Sequence, residues 1–445
     1  MGRQMLALLG GAVFFTGWVA VATPTSAPGP APTHEQRLAT PASPPRWTRP
    51  LTGPGGDESA RLVSDKAGGI LAMVNFTRSI DVGTGPIEGS DDPTEWHTVL
   101  ARYDARGQAQ VLKVFHSTYG MRHVVDAQHN IVLLISAGGG VLDSAVHLAK
   151  LDATGKLLWL RPLPDGEIWP QALTTDRAGN IGVGGYTVGS GSGQLAFIKY
   201  GPEGVRQWTF TDRQMPRSEG RAATADSDGC FYVGGDAQGD DPVAEPYLVK
   251  LSPEGSPVWR RRLPGAVGFG HDVATHGNRV VLVGTFGGAF TYVDGPHVAT
   301  DNVGTNQDAF VAAWTRDGDE RWARNFGFDI GGVAMSEEDD GVVVAGGYQG
   351  GSPDLAVLGP LAGNPNGAAN VYVAKFDRIE GKLRWARGYP SGLDLGVLGV
   401  DESSVAVTSD GRAAVVGLFH DTLQTGATKW TANGRSDLFL FGFDP

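Results

Sequence analysis

The chain has 445 residues, 66 of them glycine, and a net charge of −12 from 36 basic and 48 acidic side chains. Glycine at roughly twice its usual ~7% share, with Val, Ile, Phe, Tyr and Thr in short runs, describes many strands joined by tight turns and excludes a disordered polymer. An acidic chain without a basic stripe also excludes a nucleic-acid binder, whose affinity would rest on phosphate contacts.

The first elements are for export. Arg3 precedes an apolar run from Met5 to Val21, and Ala20-Val21-Ala22 forms a small-x-small cleavage pattern. Residues 1–22 are therefore expected to be a signal peptide. The alternative is an uncleaved anchor, the only case in which membrane contact is expected. Residues 23–45 carry Pro24, Pro28, Pro30, Pro32, Pro41, Pro44 and Pro45, the composition of a disordered linker. The expected location is secreted, periplasmic or on the cell surface.

From residue 46 onward one unit repeats. Six copies of an alternating strand, a Gly-containing turn and a second strand begin at Thr98, Val146, Ala196, Tyr247, Phe310 and Tyr372. The second strand carries Trp159, Trp208, Trp259, Trp322 and Trp385 at one place, about 56 residues apart on average, with Val111 in the first copy. Each is followed by another hairpin with an acidic or polar turn, such as Asp176 to Asn180 or Asp226 to Gly229, and then an apolar strand. Four strands per unit with no helical period predict an all-β propeller. The C-terminal run from Leu438 to Asp444 is a first strand lacking its Trp strand, while Arg46 to Leu51 is a Trp strand lacking its partner. Joined, they give a seventh blade, and residues 46–445 are expected to form a seven-bladed propeller of four-stranded antiparallel blades closed by both termini.

Within a blade, the arm before the acidic turn is expected innermost and the Trp strand outermost. The loops between second and third strands are long after Asn75, Phe286, Tyr348 and Phe419, in blades one, five, six and seven. That arc is the expected functional surface. Its aromatic residues Trp96, Tyr292, Tyr348 and Trp430 are the candidate ligand-binding residues, suited to stacking on sugar or protein, with packing on their own blades as the alternative.

The segment from Asp308 to Gly327 (DAFVAAWTRDGDERWARNFG), with Gly284 to Pro296 (GTFGGAFTYVDGP) before it, resembles the bacterial SBBP β-propeller repeat. That resemblance covers the mature chain and implies a secreted or surface protein; it carries no catalytic residue with it. A weaker likeness, from Ala149 to Trp159, is to the tryptophan-docking motif of pyrroloquinoline quinone propellers. Those enzymes have eight blades and often an adjacent cysteine pair, and this chain has seven units and one cysteine.

No catalytic constellation stands out, and no catalytic or metal-binding residue is assigned. The lone Cys230 excludes an intrachain disulfide, a multi-cysteine metal cluster and a CxxC pair, and is expected to be a buried, inert thiol. His116, His123 and His129 lack metal-ligand spacing, and Gly189 to Gly193 is not a nucleophile elbow. Turns such as Asp226-Ser-Asp228 and Asp317-Gly-Asp319 fall short of a calcium loop, so a weak calcium site is the most they offer, and no other cofactor is expected. The Arg260-Arg261-Arg262 run reads as a solvated strand edge. The resulting expectation is a monomeric, non-catalytic binding or scaffold module for an envelope or extracellular protein or glycan. The alternatives are a propeller enzyme acting on an extracellular polysaccharide and, further off, a quinoprotein.

Overall fold

The computed structural model describes residues 44–54, 57–138, 145–164, 166–187, 193–239, 243–299, 308–327, 330–335, 340–349, 361, 369–392, 405–425, 428–433 and 436–445. The expected signal peptide, residues 23–43 of the linker and most of the Gly189 to Gly193 run lie outside them.

Among the described residues there is no helix, and the strands form seven four-stranded antiparallel blades. From the channel outward, blade 1 is Asp57–Ser64, Ile70–Phe76, His97–Tyr103 and Ala109–Phe115. Blade 2 is Thr118–Val125, Ile131–Ala137, Val146–Leu151 and Leu157–Pro162. Blade 3 runs Ile168–Thr175, Ile181–Thr187, Leu195–Tyr200 and Arg206–Thr211, and blade 4 Arg217–Ala225, Phe231–Gln238, Ala244–Leu251 and Pro257–Arg262. Blade 5 is Ala266–His276, Arg279–Tyr292, Asp308–Trp314 and Glu320–Gly327. Blade 6 is Gly332–Met335, Gly341–Gln349, Ala369–Asp377 and Leu383–Gly392. In blade 7, Val405–Val407, Ala413–Thr425 and Asp437–Phe443 are completed by Trp47–Leu51 from the other end of the chain. Trp47 opposes Gly442 and Leu51 opposes Leu438, and Arg46 donates to the Asp444 carboxylate at 2.6 Å.

Middle strands are covered by sheets on both faces, which is why Ile70–Phe76 and Asp437–Phe443 are buried at every position and read as apolar runs. Outer strands are covered on one side only; in Leu157–Pro162 just Trp159 is buried. The core is divided among the seven seams between neighbouring blades, each with its own apolar cluster. The blade 7–blade 1 seam joins Leu438, Leu440 and Leu51 to Leu62, Ala72 and Val99.

The repeated tryptophan fastens one blade to the next. The indole N–H of Trp208 donates to the Pro253 carbonyl (2.9 Å), that of Trp259 to Arg316 (3.0 Å) and that of Trp322 to Arg378 (3.1 Å), each in the outer turn of the following blade. The turn glycine must lie flat against this ring. Gly255 has φ 89°, and a Cβ there would stand 2.7 Å from Cδ2 of Trp208. An arginine two residues after the Trp lies over the ring as well: Arg261 over Trp259, Arg324 over Trp322. Their Nε atoms donate to the carbonyls of Gly318 (2.7 Å) and Gly381 (2.9 Å).

This corrects the solvated reading of the arginine run. Arg260 grips the Asp212 carboxylate, Arg261 docks blade 5, and Arg262 pairs with Glu245 at 3.3 Å. Cys230 sits one residue ahead of its strand and is half-buried, and burial pushes its thiol up, away from the thiolate.

Candidate functional site: the central channel

The innermost strands of blades 1 to 5 share one irregularity. Each carries one extra residue opposite its partner: Glu58, Met121, Gln171, Arg221 and His271. A bulge re-aims the side chains around it. All seven innermost strands line a central cavity of about 280 Å³, and the bulge residues Arg221 and His271 are among the groups that reach it.

Register assigns the other polar groups to levels. Arg61, Arg122, Ala172, Ala222 and Asp272 oppose Met73, Leu134, Gly184, Gly234 and Val283, equivalent positions of the second strands, so these five stand at one height around the channel. Two arginines on adjacent blades thus share a level with one carboxylate from blade 5. Asp272 meets water only through the channel, and this enclosure pushes its carboxyl up to about 6, against the opposing pull of N–H groups from Val333 and Val273 and of Arg122 and Arg61. The Val333 N–H, at 2.9 Å, belongs to blade 6, so the same carboxylate ties two blades together.

His123 follows Arg122 and is 4% exposed. Its Nε2 lies 3.1 Å from the Leu71 carbonyl, an acceptor, so Nε2 carries the proton and Nδ1 presents a bare lone pair. That Nδ1 has no hydrogen-bond partner. Burial, assisted by Arg61 and Arg122, depresses the imidazole to about 4, keeping it neutral.

Above this level the innermost strands of blades 2 to 5 carry Tyr119, Trp169, Glu219 and Phe269, all half-buried and opposite Ser136, Tyr186, Asp236 and Thr285 of the second strands. Tyr119 hydroxyl and Ser59 hydroxyl are 3.3 Å apart, and Trp96 packs edge-on against Tyr119 with centroids 5.7 Å apart. Arg221 spans two levels, stacking over Phe269 at 5.1 Å while pairing with Asp236 (2.7 Å) and Glu219 (2.9 Å). At the opposite end the channel opens into a vestibule of about 270 Å³ lined by Lys66, Asp176, Arg177, Asp226 and His276.

Of the four residues expected to bind ligand, Trp96 lies beside this mouth and the others elsewhere. Tyr292 is 4% exposed, donates to the Ala313 carbonyl at 2.8 Å and packs on Trp314. Tyr348 is 1% exposed and packs beside Tyr372. Trp430 is half-buried against Phe419 and Phe441. The described insertions fold back as hairpins into the seam with the preceding blade. Asp81 of the blade 1 insertion bridges to Thr52, Phe290 and Tyr292 join the blade 4–blade 5 cluster with Trp259 and Leu263, and Leu423 of blade 7 pairs with Ser391 of blade 6. The rings of Tyr292 and Tyr348 are therefore spent on packing.

The acidic turns are likewise occupied by the protein. Asp226 accepts the N–H groups of Asp228 (2.9 Å) and Cys230 (3.0 Å), and Arg316 bridges the Asp226 and Asp228 carboxylates. No cluster of three or more His, Cys, Asp or Glu side chains suited to a metal occurs among the described residues.

No family model and no curated protein matches the chain. Among solved structures it is similar to BamB from Moraxella catarrhalis (11% identity, TM-score 0.31, covering 65% of this chain and 96% of that one). It is also similar to the β-propeller domain of the Trilobed protease from Pyrococcus furiosus, of open velcro topology (9% identity, TM-score 0.42, covering 86% and 96%).

The two perturbed groups make opposite contributions to acid stability. Asp272 is raised from 3.8 to about 6 in the fold, so the folded chain binds more protons than the unfolded one between those values, and its contribution falls as pH rises through that window. His123 is lowered from 6.5 to about 4, so its contribution is full above 6.5 and is lost as pH falls toward 4. Asp272→Asn should remove the first effect alone. In urea titrations, the stability of the variant relative to the parent should improve between pH 4 and pH 7.5 by at most about 3 kcal/mol. Parallel pH profiles would show that the carboxyl titrates normally.

Proposed function

We propose that the protein is an exported, non-catalytic binding propeller that engages a glycan of the envelope or extracellular space at the mouth formed by Tyr119, Trp169 and Phe269. The observation that carries this reading is the layered channel: half-exposed aromatic rings at the mouth, and a polar floor of Arg61, Arg122, His271 and Asp272 within a cavity of about 280 Å³. Aromatic faces stack on the apolar faces of sugar rings, while convergent polar groups fix orientation. Export is supported by the apolar run from Met5 to Val21 with its Ala20-Val21-Ala22 pattern. Grouping with the SBBP-type repeat proteins is supported by the unit from Asp308 to Gly327.

One observation favours a polysaccharide-cleaving reading: a carboxyl raised to about 6, as in Asp272, suits a general acid. Glycoside hydrolysis generally uses a second carboxylate across the bond, and Asp272 is the only one lining the cavity among the described residues. Binding is thus the better-supported activity.

The test is a glycan panel with the mature chain. Trp169→Ala and Tyr119→Ala should each weaken capture of a bound polysaccharide by roughly tenfold, the effect of losing one stacking ring. Trp430→Ala should leave it unchanged. Equal binding by all three variants would remove the mouth as the site. Capture of an envelope protein in place of any glycan would replace the ligand class, and release of reducing ends would establish the enzyme.

A further inference from the structure

We infer that Arg279, Arg321 and Arg378, at the seam between blades 5 and 6, form a site for a doubly charged phosphate group. It takes the place of two carboxylates that the preceding seam draws from its own chain. The site lies at the vestibule end of the ring and is independent of the glycan reading.

Two adjacent seams differ in their acids. In blade 4 the turn after the innermost strand is Asp226-Ser227-Asp228-Gly229. Arg316 of blade 5 reaches back to it, 2.8 Å from the Asp226 carboxylate and bonded to that of Asp228 as well. Lys250 stands 4.0 Å from Asp226. Two carboxylates thus face two cations. In blade 5 the equivalent turn is His276-Gly277-Asn278-Arg279, since Thr275 opposes Val280 as Ala225 opposes Phe231. Both acids are gone. Arg378 holds in blade 6 the place of Arg316 in blade 5, each carbonyl taking the indole N–H of the preceding blade. It also reaches back, to the His276 carbonyl at 2.8 Å, and bonds Asp340 of its own blade. Ala313 stands opposite Trp322 where Lys250 stands opposite Trp259, and the turn itself supplies the second cation, Arg279.

Hydrogen bonds and register bring the three guanidinium groups to one place. Arg279 Nη1 donates to the Asn278 carbonyl at 3.0 Å, two residues beyond the carbonyl that Arg378 holds. A Cβ on Gly277, between them, would stand 2.5 Å from Arg378 Nη1. Val280 opposes Trp314, and Trp314 opposes Glu320, so Arg279 and Arg321 leave the sheet at the same end. Burial, with repulsion from Arg321 and Arg378, holds Arg279 below the usual guanidinium range. Among the described residues neither Arg279 nor the exposed Arg321 has a carboxylate partner. The Nε of Arg279 is buried, whereas its Nη2 has no protein acceptor and is open to solvent. Guanidinium forks match phosphate oxygens in pairs, and two negative charges restore the balance that Asp226 and Asp228 give the seam before.

The experiment is calorimetric titration of the mature chain with inorganic phosphate, sulfate and acetate, in mildly alkaline buffer where phosphate is doubly charged. Sedimentation with phosphatidylcholine vesicles, with and without phosphatidate, separates a lipid headgroup from the free ion. Phosphate and sulfate should bind comparably, and acetate at least about tenfold more weakly. Arg279→Gln should weaken phosphate by roughly tenfold, the loss of one charge-assisted hydrogen bond. His276→Asp restores the missing acid and should abolish binding without lowering the melting temperature. Arg177→Gln, at the vestibule, should bind as the parent does. Phosphatidate-dependent sedimentation that phosphate reverses makes the ligand a headgroup; phosphate binding without sedimentation makes it the free ion. Acetate binding as tightly as phosphate overturns the dianion. Phosphate binding that survives both Arg279→Gln and His276→Asp, or that is lost in Arg177→Gln, overturns the site. No binding by the parent overturns it too. Glu337 to Asp339, which precede Asp340 and lie outside the described residues, would then be the acids of this seam. Should Arg279→Gln melt below the parent, Arg321→Gln, a change at an exposed side chain, decides the case.

Discussion

A chain beginning at residue 52 is expected to melt about 10 °C below one beginning at residue 44, and to aggregate as it does so. The missing segment is the outer strand of blade 7. It removes the fully buried Leu51, the Trp47 ring stacked on Tyr103, the backbone pairing from Trp47 to Leu51, and the ion pair from Arg46 to Asp444. Losing two large side chains at about 2 kcal/mol each and their ladder bonds comes to roughly 5 kcal/mol. At about 2 °C per kcal/mol for a chain of this length, that gives the shift stated. The strand Asp437–Phe443, buried along its length, would become an apolar edge open to other chains. Differential scanning calorimetry with light scattering reads both effects. A truncated chain that melts with the parent and stays monodisperse would mean that the ring does not depend on its closing strand.

Trp322→Ala should destabilise the fold by about 3–5 kcal/mol, the range for removing a buried aromatic side chain. Trp322 is 2% exposed, its indole N–H serves the Arg378 carbonyl, and Arg324 lies over its face. The substitution thus empties a pocket between blades 5 and 6 and strands a carbonyl. Trp322→Phe should recover most of the packing and lose the hydrogen bond, leaving a deficit nearer 1–2 kcal/mol. Chemical denaturation of the two variants separates these parts. Equal stability of both would show that the hydrogen bond, and not the ring volume, holds the seam.

The architecture was legible because its signals are local and repeated. An apolar run, a turn with Asp and Gly, and a Trp strand identify one blade without knowledge of its neighbours. The split between Leu438 to Asp444 and Arg46 to Leu51 then closes the ring. The channel was less legible. Its chemistry lies in single columns of the repeat: Arg61 and Arg122 stand four residues before Asp65 and Asp126, and Asp272 stands four before His276. At the same place blades 3 and 4 carry Ala172 and Ala222, so no local motif marks the column. Reading down the aligned copies at that offset would have found the arginines, and at seven residues Tyr119, Trp169 and Phe269. Loop length pointed instead to Tyr292 and Tyr348. Length was a poor guide because the inserted residues form hairpins that seal seams, and a ring that seals a seam is withdrawn from solvent.

The tryptophan clasps all point the same way along the chain, and this sets an order of assembly. Trp208, Trp259 and Trp322 find acceptors 45, 57 and 56 residues later. Each blade leaving the ribosome therefore supplies the socket for the blade already made, through contacts of modest sequence separation. The first strand is the exception, because Arg46 meets Asp444 across 398 residues. By loop-closure entropy this last join costs only about 2 kcal/mol more than a single clasp. Its handicap is one of timing: the strand Trp47–Leu51 is made first and finds its ladder partner Asp437–Phe443 last, and until then the growing propeller is an open arc.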